Sequence, residues 1–211
     1  GDRVACGGAS AAHAEIIAVP INLCAKVPDN VSLKEAAFTT VGAIAMQGVR
    51  LADVQVGSVV LVIGLGLVGQ LTAQILQASG CQVIGYDLDE SRCQLAVELG
   101  ADQTSAKEKT VLDLIAQHTG GHGADAVVIT AATDSDRPVE FAGEVCRKKG
   151  SVVVVGAVGL TFPREPYYNK ELNFQISCSY GPGRYDPDYE EKGRDYPYGY
   201  VRWTEKRNME S

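Results

Sequence analysis

Two features of the sequence could do chemistry on a nucleotide. Gly64-Leu65-Gly66-Leu67-Val68-Gly69 spells GxGxxG, and Asp87 lies eighteen residues past its last glycine. In a turn from strand to helix each glycine has a physical task. Gly64 permits the tight turn, and Gly66 lets a pyrophosphate approach the backbone where a Cβ would obstruct it. Gly69 lets the helix pack closely on the sheet. The free N–H groups and positive dipole end of that helix would hold the phosphates. Asp87, with Leu88 beside it, can accept both ribose hydroxyls of an adenosine and would repel a 2′-phosphate, which favours NAD(H) over NADP(H). Arg92 is the complication, since a guanidinium there could pair with a 2′-phosphate, cover the adenine or face solvent. Asp89 reads as a helix cap. S-adenosylmethionine or FAD on the same turn is the alternative ligand reading.

Catalytic groups are not visible in the same way. There is no nucleophile elbow for a Ser-His-Asp or Cys-His arrangement, no Tyr-x-x-x-Lys spacing, and no cluster of carboxylates. His118 and His122 are separated by Gly120 and Gly121, so they do not share a helical face. Cys6, Cys24, Cys81, Cys93, Cys146 and Cys178 are scattered without a CxxC pair. They read as reduced thiols of a cytoplasmic protein, acting as small apolar residues, and no metal site is expected from them.

The elements that must position these residues alternate along the chain. Residues 58–63 form a near-continuous apolar run, as expected of a parallel strand covered on both faces. Val68, Leu71, Thr72, Ile75 and Leu76 then recur at helical spacing up to Gly80. Residues 82–86, 101–105, 124–130, 151–155 and 172–178 supply five further strands, with amphipathic segments between them. A helix opened by Ser135 or Asp136 is expected to end at Gly150. This pattern predicts an α/β fold with a doubly wound, parallel, six-stranded sheet and right-handed crossovers. Around it, residues 16–19 and 23–27 look extended, Ser32-Leu33-Lys34-Glu35 is a capping box, and 42–51 is a further helix. Residues 180–200 hold six of the nine tyrosines among prolines and glycines, which predicts an extended arm without regular structure that packs its tyrosines on another surface. The 211 residues carry a formal charge of −7, which argues against a nucleic-acid surface. No stretch is long and apolar enough for a membrane span.

Residues 1–180 resemble the medium-chain dehydrogenase/reductase superfamily, the zinc-type alcohol and polyol dehydrogenases. The resemblance is carried by Gly1-Asp2-Arg3-Val4, His13-Ala14-Glu15, Val27-Pro28-Asp29, the run from Val56 to Gly69, Asp87, and Gly123-Ala124-Asp125-Ala126-Val127-Val128. It implies a Rossmann cofactor domain over 39–180, preceded in 1–38 by part of a β-rich GroES-like catalytic domain and followed by a tail, 181–211. It also implies hydride transfer between an alcohol carbon and nicotinamide, usually with zinc polarising the oxygen. Carried over by position, Gly64 to Gly69 would hold the pyrophosphate, Asp87 the ribose, and Arg92 would lie beside the adenosine. Thr130, Ala131 and Ala132 would border the ribose crevice. Val155, Gly156, Ala157, Cys178, Ser179 and Tyr180 would present backbone groups to the nicotinamide end.

The sequence departs from that pattern in two places. Thr39, next to Thr40, stands where some members carry a zinc-binding Cys, and the other zinc ligands belong to a segment this sequence does not contain. The tail, with Tyr180-Gly181-Pro182-Gly183-Arg184-Tyr185, is similar to a bi-domain branch fused to a glucose-fructose-oxidoreductase-type domain. The expectation is therefore the cofactor half of a longer enzyme acting on an alcohol, sugar-derived if the resemblance to the bi-domain branch holds, and inactive as a fragment. A non-catalytic dinucleotide-sensing module with a partner-binding tail is the alternative. A homodimer through the edge strand 172–178 is expected, with no nucleic-acid or membrane partner.

Overall fold

The computed structural model describes residues 1–211 and divides into two compact units, Gly1–Gln47 with Cys178–Ser211, and Gly48–Ser177. The two flanks that the sequence suggested as separate stubs thus share one unit. Its N-terminal part is an antiparallel pair, β1 (Val4–Cys6) and β2 (Cys24–Lys26), with Val4 opposite Lys26 and Cys6 opposite Cys24. Residues 16–19 form no strand; Ile16 is exposed and finds no partner edge to pair with. The capping box forms as its spacing predicts. The Ser32 hydroxyl accepts from the Glu35 N–H at 3.2 Å, and the Glu35 carboxylate accepts from the Ser32 N–H at 2.8 Å, opening α1 (Leu33–Ala36). The next helix, α2 (Thr39–Ala52), starts earlier than expected, with the Thr39 hydroxyl donating to the Ala36 carbonyl.

The second unit is the alternating segment. Its elements run β3 (Val59–Ile63), α3 (Leu67–Ala78), β4 (Gln82–Tyr86), α4 (Glu90–Glu98), β5 (Gln103–Ser105), α5 (Glu108–Thr119), β6 (Ala124–Ile129), α6 (Arg137–Val145), β7 (Cys146–Val154), α7 (Arg164–Asn169) and β8 (Asn173–Ile176). All six strands pair in parallel in the order β5-β4-β3-β6-β7-β8. The order reverses between β3 and β6, so a crevice opens at the carboxyl ends of these strands. Alternate residues serve opposite layers. Leu61, Ile63, Val127 and Ile129 pack with Phe141 and Val139 on one face, whereas Val60, Val62, Val83 and Val128 pack with Leu65, Ala73 and Leu76 on the other. Asp125 fastens the other end, accepting from the Val59 N–H at 2.8 Å and from Arg147 at 2.6 Å.

One boundary differs from the sequence expectation. Helix α6 ends at Val145, and Gly150 lies inside β7. The helix needs no glycine stop because the Lys170 ammonium donates to the carbonyls of Gly143, Glu144 and Cys146 at 2.7–2.9 Å. Those are carbonyls a helix end leaves without intrahelical partners. Burial holds the Lys170 ammonium below its ordinary range.

The tail also corrects its expectation. It is not an extended arm, since it makes two short helices, α8 (Pro187–Glu190) and α9 (Glu205–Met209), but it does pack tyrosines as expected, burying Tyr180 and Tyr189. The Tyr189 hydroxyl donates to Thr204, and Asn22 donates to the Tyr189 carbonyl, both at 2.8 Å. Tyr185, Tyr198 and Tyr200 stay exposed. Glu205 is fully buried, and neither of its carboxylate oxygens has a hydrogen-bond partner. Burial, reinforced by the Glu190 charge, pushes it up to about 8 from an ordinary 4.5. Between those values the folded state holds a proton that the unfolded chain releases, so the stability this group allows falls as pH rises through the window. Glu205→Gln should therefore be the more stable form at about pH 9, and the advantage should shrink by at most about 1.4 kcal/mol per pH unit toward about pH 5. Thermal unfolding of both proteins across that range checks it; parallel profiles would contradict the buried acid.

Candidate nucleotide-binding site

The glycine turn leaves β3 at Ile63 and enters α3 at Leu67. Gly64 has φ +93°, a left-handed conformation that costs a side chain dearly, and a Cβ there would lie 2.6 Å from the Ala131 nitrogen. A Cβ on Gly69 would lie 1.9 Å from the Gly64 carbonyl oxygen, so this glycine sets the approach of the helix to the turn. Gly66 is different. Its φ of −68° suits any residue, and a Cβ there would meet no protein atom within 4 Å. Neither conformation nor packing requires glycine at 66, which leaves the space over it for something outside the chain. No side chain caps α3 and no acidic residue stands in its first turn, so its leading N–H groups face that space uncompensated.

A cleft of about 980 Å³ lies over this turn, at the carboxyl ends of β3, β4 and β6. Among the residues expected from sequence, Gly64, Gly66, Asp87, Leu88, Arg92, Thr130, Ala131 and Ala132 line it. Leu65 contributes through its backbone: its N–H donates to Asp87 Oδ2 at 2.7 Å, while its side chain is buried. Leu67, Val68 and Gly69 form the first turn of α3. Val155, Gly156 and Ala157 do not line the cleft; they run beside it, with Ala157 bridged to Ala132 and a Cβ on Gly156 destined for the Ala131 carbonyl at 2.0 Å. Cys178, Ser179 and Tyr180 belong to the other compact unit and are not among the lining residues.

Asp87 is the best-prepared group in the cleft. Its side chain is only 10% exposed, and it is locked by two backbone donors, Leu65 N–H on Oδ2 and Asp89 N–H on Oδ1 at 2.9 Å. Arg92 comes within 3.6 Å of both Asp87 and Asp89, and its guanidinium is about half exposed at the rim. Asp89 caps α4 by accepting from the Ser91 N–H, as the sequence suggested. Hydrogen bonds from Ser91 hold its carboxyl below the usual range.

The opposite wall is built around Arg137. Arg137 donates to both Glu108 oxygens, at 3.0 and 2.7 Å, and to both Glu144 oxygens, at 2.7 and 3.1 Å. These contacts keep its guanidinium firmly charged. Arg137 stands over the Phe141 ring, which meets Tyr86 edge to face at 5.5 Å. Phe141 is fully buried beneath them, so the exposed part of this wall is the Arg137 guanidinium beside the half-buried Tyr86. Its signal in the sequence is only positional: Glu108 opens the helix after β5, and Arg137 opens the helix after β6. Nowhere do three His, Cys, Asp or Glu side chains gather closely enough to hold a metal ion.

The family profile described as zinc-binding dehydrogenase matches residues 68–191, more than half of the chain. The chain belongs to the zinc-binding dehydrogenase family. Among its relatives, D-guloside 3-dehydrogenase of Escherichia coli strain K12 is 33% identical over 197 residues, spanning 88% of this chain and 51% of that protein. D-xylulose reductase A of Aspergillus oryzae is 31% identical over 182 residues, 82% of this chain and 50% of its own length. A zinc-binding dehydrogenase of Sinorhizobium meliloti, solved with NADP, superposes with a TM-score of 0.64 at 25% identity, covering 74% of this chain and 47% of the other. The chain thus spans about half the length of the curated relatives it matches. Within the zinc-binding dehydrogenase family, a six-stranded parallel sheet with this glycine turn is the NAD(P)-binding part. The family's metal finds no fitting donor set among these residues.

Proposed function

We propose that the chain binds NAD(H) in preference to NADP(H) and is the cofactor-binding part of a dehydrogenase acting on a polyol or sugar-derived alcohol. The observation that carries this reading is Asp87, a carboxylate fixed by two backbone N–H groups at the edge of an open cleft. Prepared in this way, it can accept the two ribose hydroxyls without reorganising, and it presents negative charge where a 2′-phosphate would sit. Arg92 already faces Asp87 and Asp89, so its charge is offset by two carboxylates rather than offered to a phosphate. Gly66 and the first turn of α3 would receive the pyrophosphate, with the Arg137 guanidinium forming part of the opposite wall.

The bound dinucleotide supplies the hydride acceptor or donor. The work of these residues is to hold and orient it. The substrate class rests on the relatives, a xylulose reductase and a guloside dehydrogenase. The sheet edge β8, with Ile176 exposed, supports pairing with a second copy. Nicotinamide fluorescence during parallel titrations with NADH and NADPH tests the preference. NADPH should bind at least about tenfold more weakly, the effect of one unfavourable charged contact worth about 1.4 kcal/mol. Equal or tighter NADPH binding would reject the assignment of Asp87.

A further inference from the structure

Cys6 and Cys24 lie directly opposite each other on β1 and β2, with their sulfur atoms 3.8 Å apart. The ladder around them says which kind of antiparallel pair they form. The Gly7 N–H donates to the Leu23 carbonyl at 2.8 Å, and the Val27 N–H donates to the Arg3 carbonyl at 2.9 Å. Because hydrogen-bonded and open pairs alternate along an antiparallel ladder, Cys6 and Cys24 occupy an open pair. There the two Cβ atoms approach most closely, at the separation that a disulfide requires. The remaining cysteines lack such a partner: Cys81, Cys93 and Cys146 are buried singly in the sheet unit, and Cys178 is exposed alone. Both Cys6 and Cys24 are only half-buried, so a small oxidant can reach them.

We propose that Cys6 and Cys24 are an oxidisable dithiol that hydroperoxides convert into a cross-strand disulfide. Burial, together with the neighbouring Cys6 thiol, holds Cys24 above the ordinary thiol range, so Cys24 keeps its proton and acts as the resolving partner. The Cys6 thiolate attacks the peroxide, the O–O bond breaks, and a sulfenic acid forms with loss of one water or alcohol molecule. The Cys24 sulfur then attacks the Cys6 sulfur; the S–S bond forms, the S–O bond breaks, and hydroxide leaves as water with the Cys24 proton. The two thiols supply the two electrons and the peroxide accepts them. The product ties β1 to β2 and closes the segment between them into a loop. This inference stands apart from the nucleotide site.

The sequence makes the test direct, since trypsin cuts after Arg3 and Lys26 and places both cysteines in one peptide with no Lys or Arg between. The folded chain is treated with hydrogen peroxide, blocked with iodoacetamide, digested and weighed. The 4–26 peptide should lose both alkylation sites and weigh two hydrogens less, and dithiothreitol should restore both sites. Cys24→Ser should leave Cys6 as a sulfenic acid that dimedone traps. A 4–26 peptide that keeps two alkylated cysteines while Cys178 is oxidised would overturn the proposal. So would direct passage of Cys6 to sulfinic acid in the unmodified sequence.

Discussion

Replacing Asp87 by Ser is expected to weaken NADH binding by roughly 30- to 1,000-fold, with NADPH binding held or improved. The protein itself fixes the Asp87 carboxylate. Its two oxygens already accept from Leu65 N–H and Asp89 N–H, which aims the remaining lone pairs outward at fixed positions. Hydrogen bonds to a charged group contribute about 1.5–3 kcal/mol each, and two ribose hydroxyls would use them, so a loss of about 2–4 kcal/mol follows when water replaces part of the contact. NADPH makes no such contact and meets less negative charge in the variant, so the preference should collapse toward unity. Binding isotherms for both nucleotides, run beside a thermal melt, read this. An unchanged NADH:NADPH ratio in a folded variant would remove Asp87 from the ribose role.

The second large effect separates two glycines of one turn. Gly69→Ala should destabilise the sheet unit by about 3 kcal/mol, since overpacking against backbone cannot be relieved by a rotamer change. The clash is with the Gly64 carbonyl oxygen, 1.9 Å from the new Cβ, and α3 must move to accept it. Gly66→Ala should leave stability unchanged, because its backbone is in an ordinary conformation and the methyl meets nothing. It should nonetheless reduce NADH affinity by at least about 100-fold, as the methyl takes the place of a phosphate oxygen at the helix N-terminus. Paired melting curves and NADH titrations decide it. A Gly66→Ala protein that melts early but binds normally would invert the account of this turn.

What the sequence made legible follows from how local each signal is. The strand at 59–63 is buried at every position, and its apolar run needs only five neighbouring residues to be seen. The glycine turn and Asp87 are equally local, and the structure brings Gly64, Gly66 and Asp87 to one cleft. The Arg137–Glu108–Glu144 wall joins residues 29 apart through the sheet topology, and no spacing rule announces it. The end of α6 is equally non-local. Its carbonyls are satisfied by Lys170, more than twenty residues downstream, instead of by a neighbouring glycine. The tail's prolines and glycines signalled turns, and its tyrosines signalled packing that Tyr180 and Tyr189 fulfil, but its two short helices carry no such local signal. The pairing of Cys6 with Cys24 depended on a strand register that three-residue strands do not reveal.

The central claim is that this chain carries a built dinucleotide site, and calorimetric titration of the 211-residue chain with NADH tests it most directly. One site per chain with saturable heat is the predicted result, strongly weakened in both Gly66→Ala and Asp87→Ser. No heat with NADH or NAD at millimolar concentration, from a chain whose melting curve shows it folded, would contradict it.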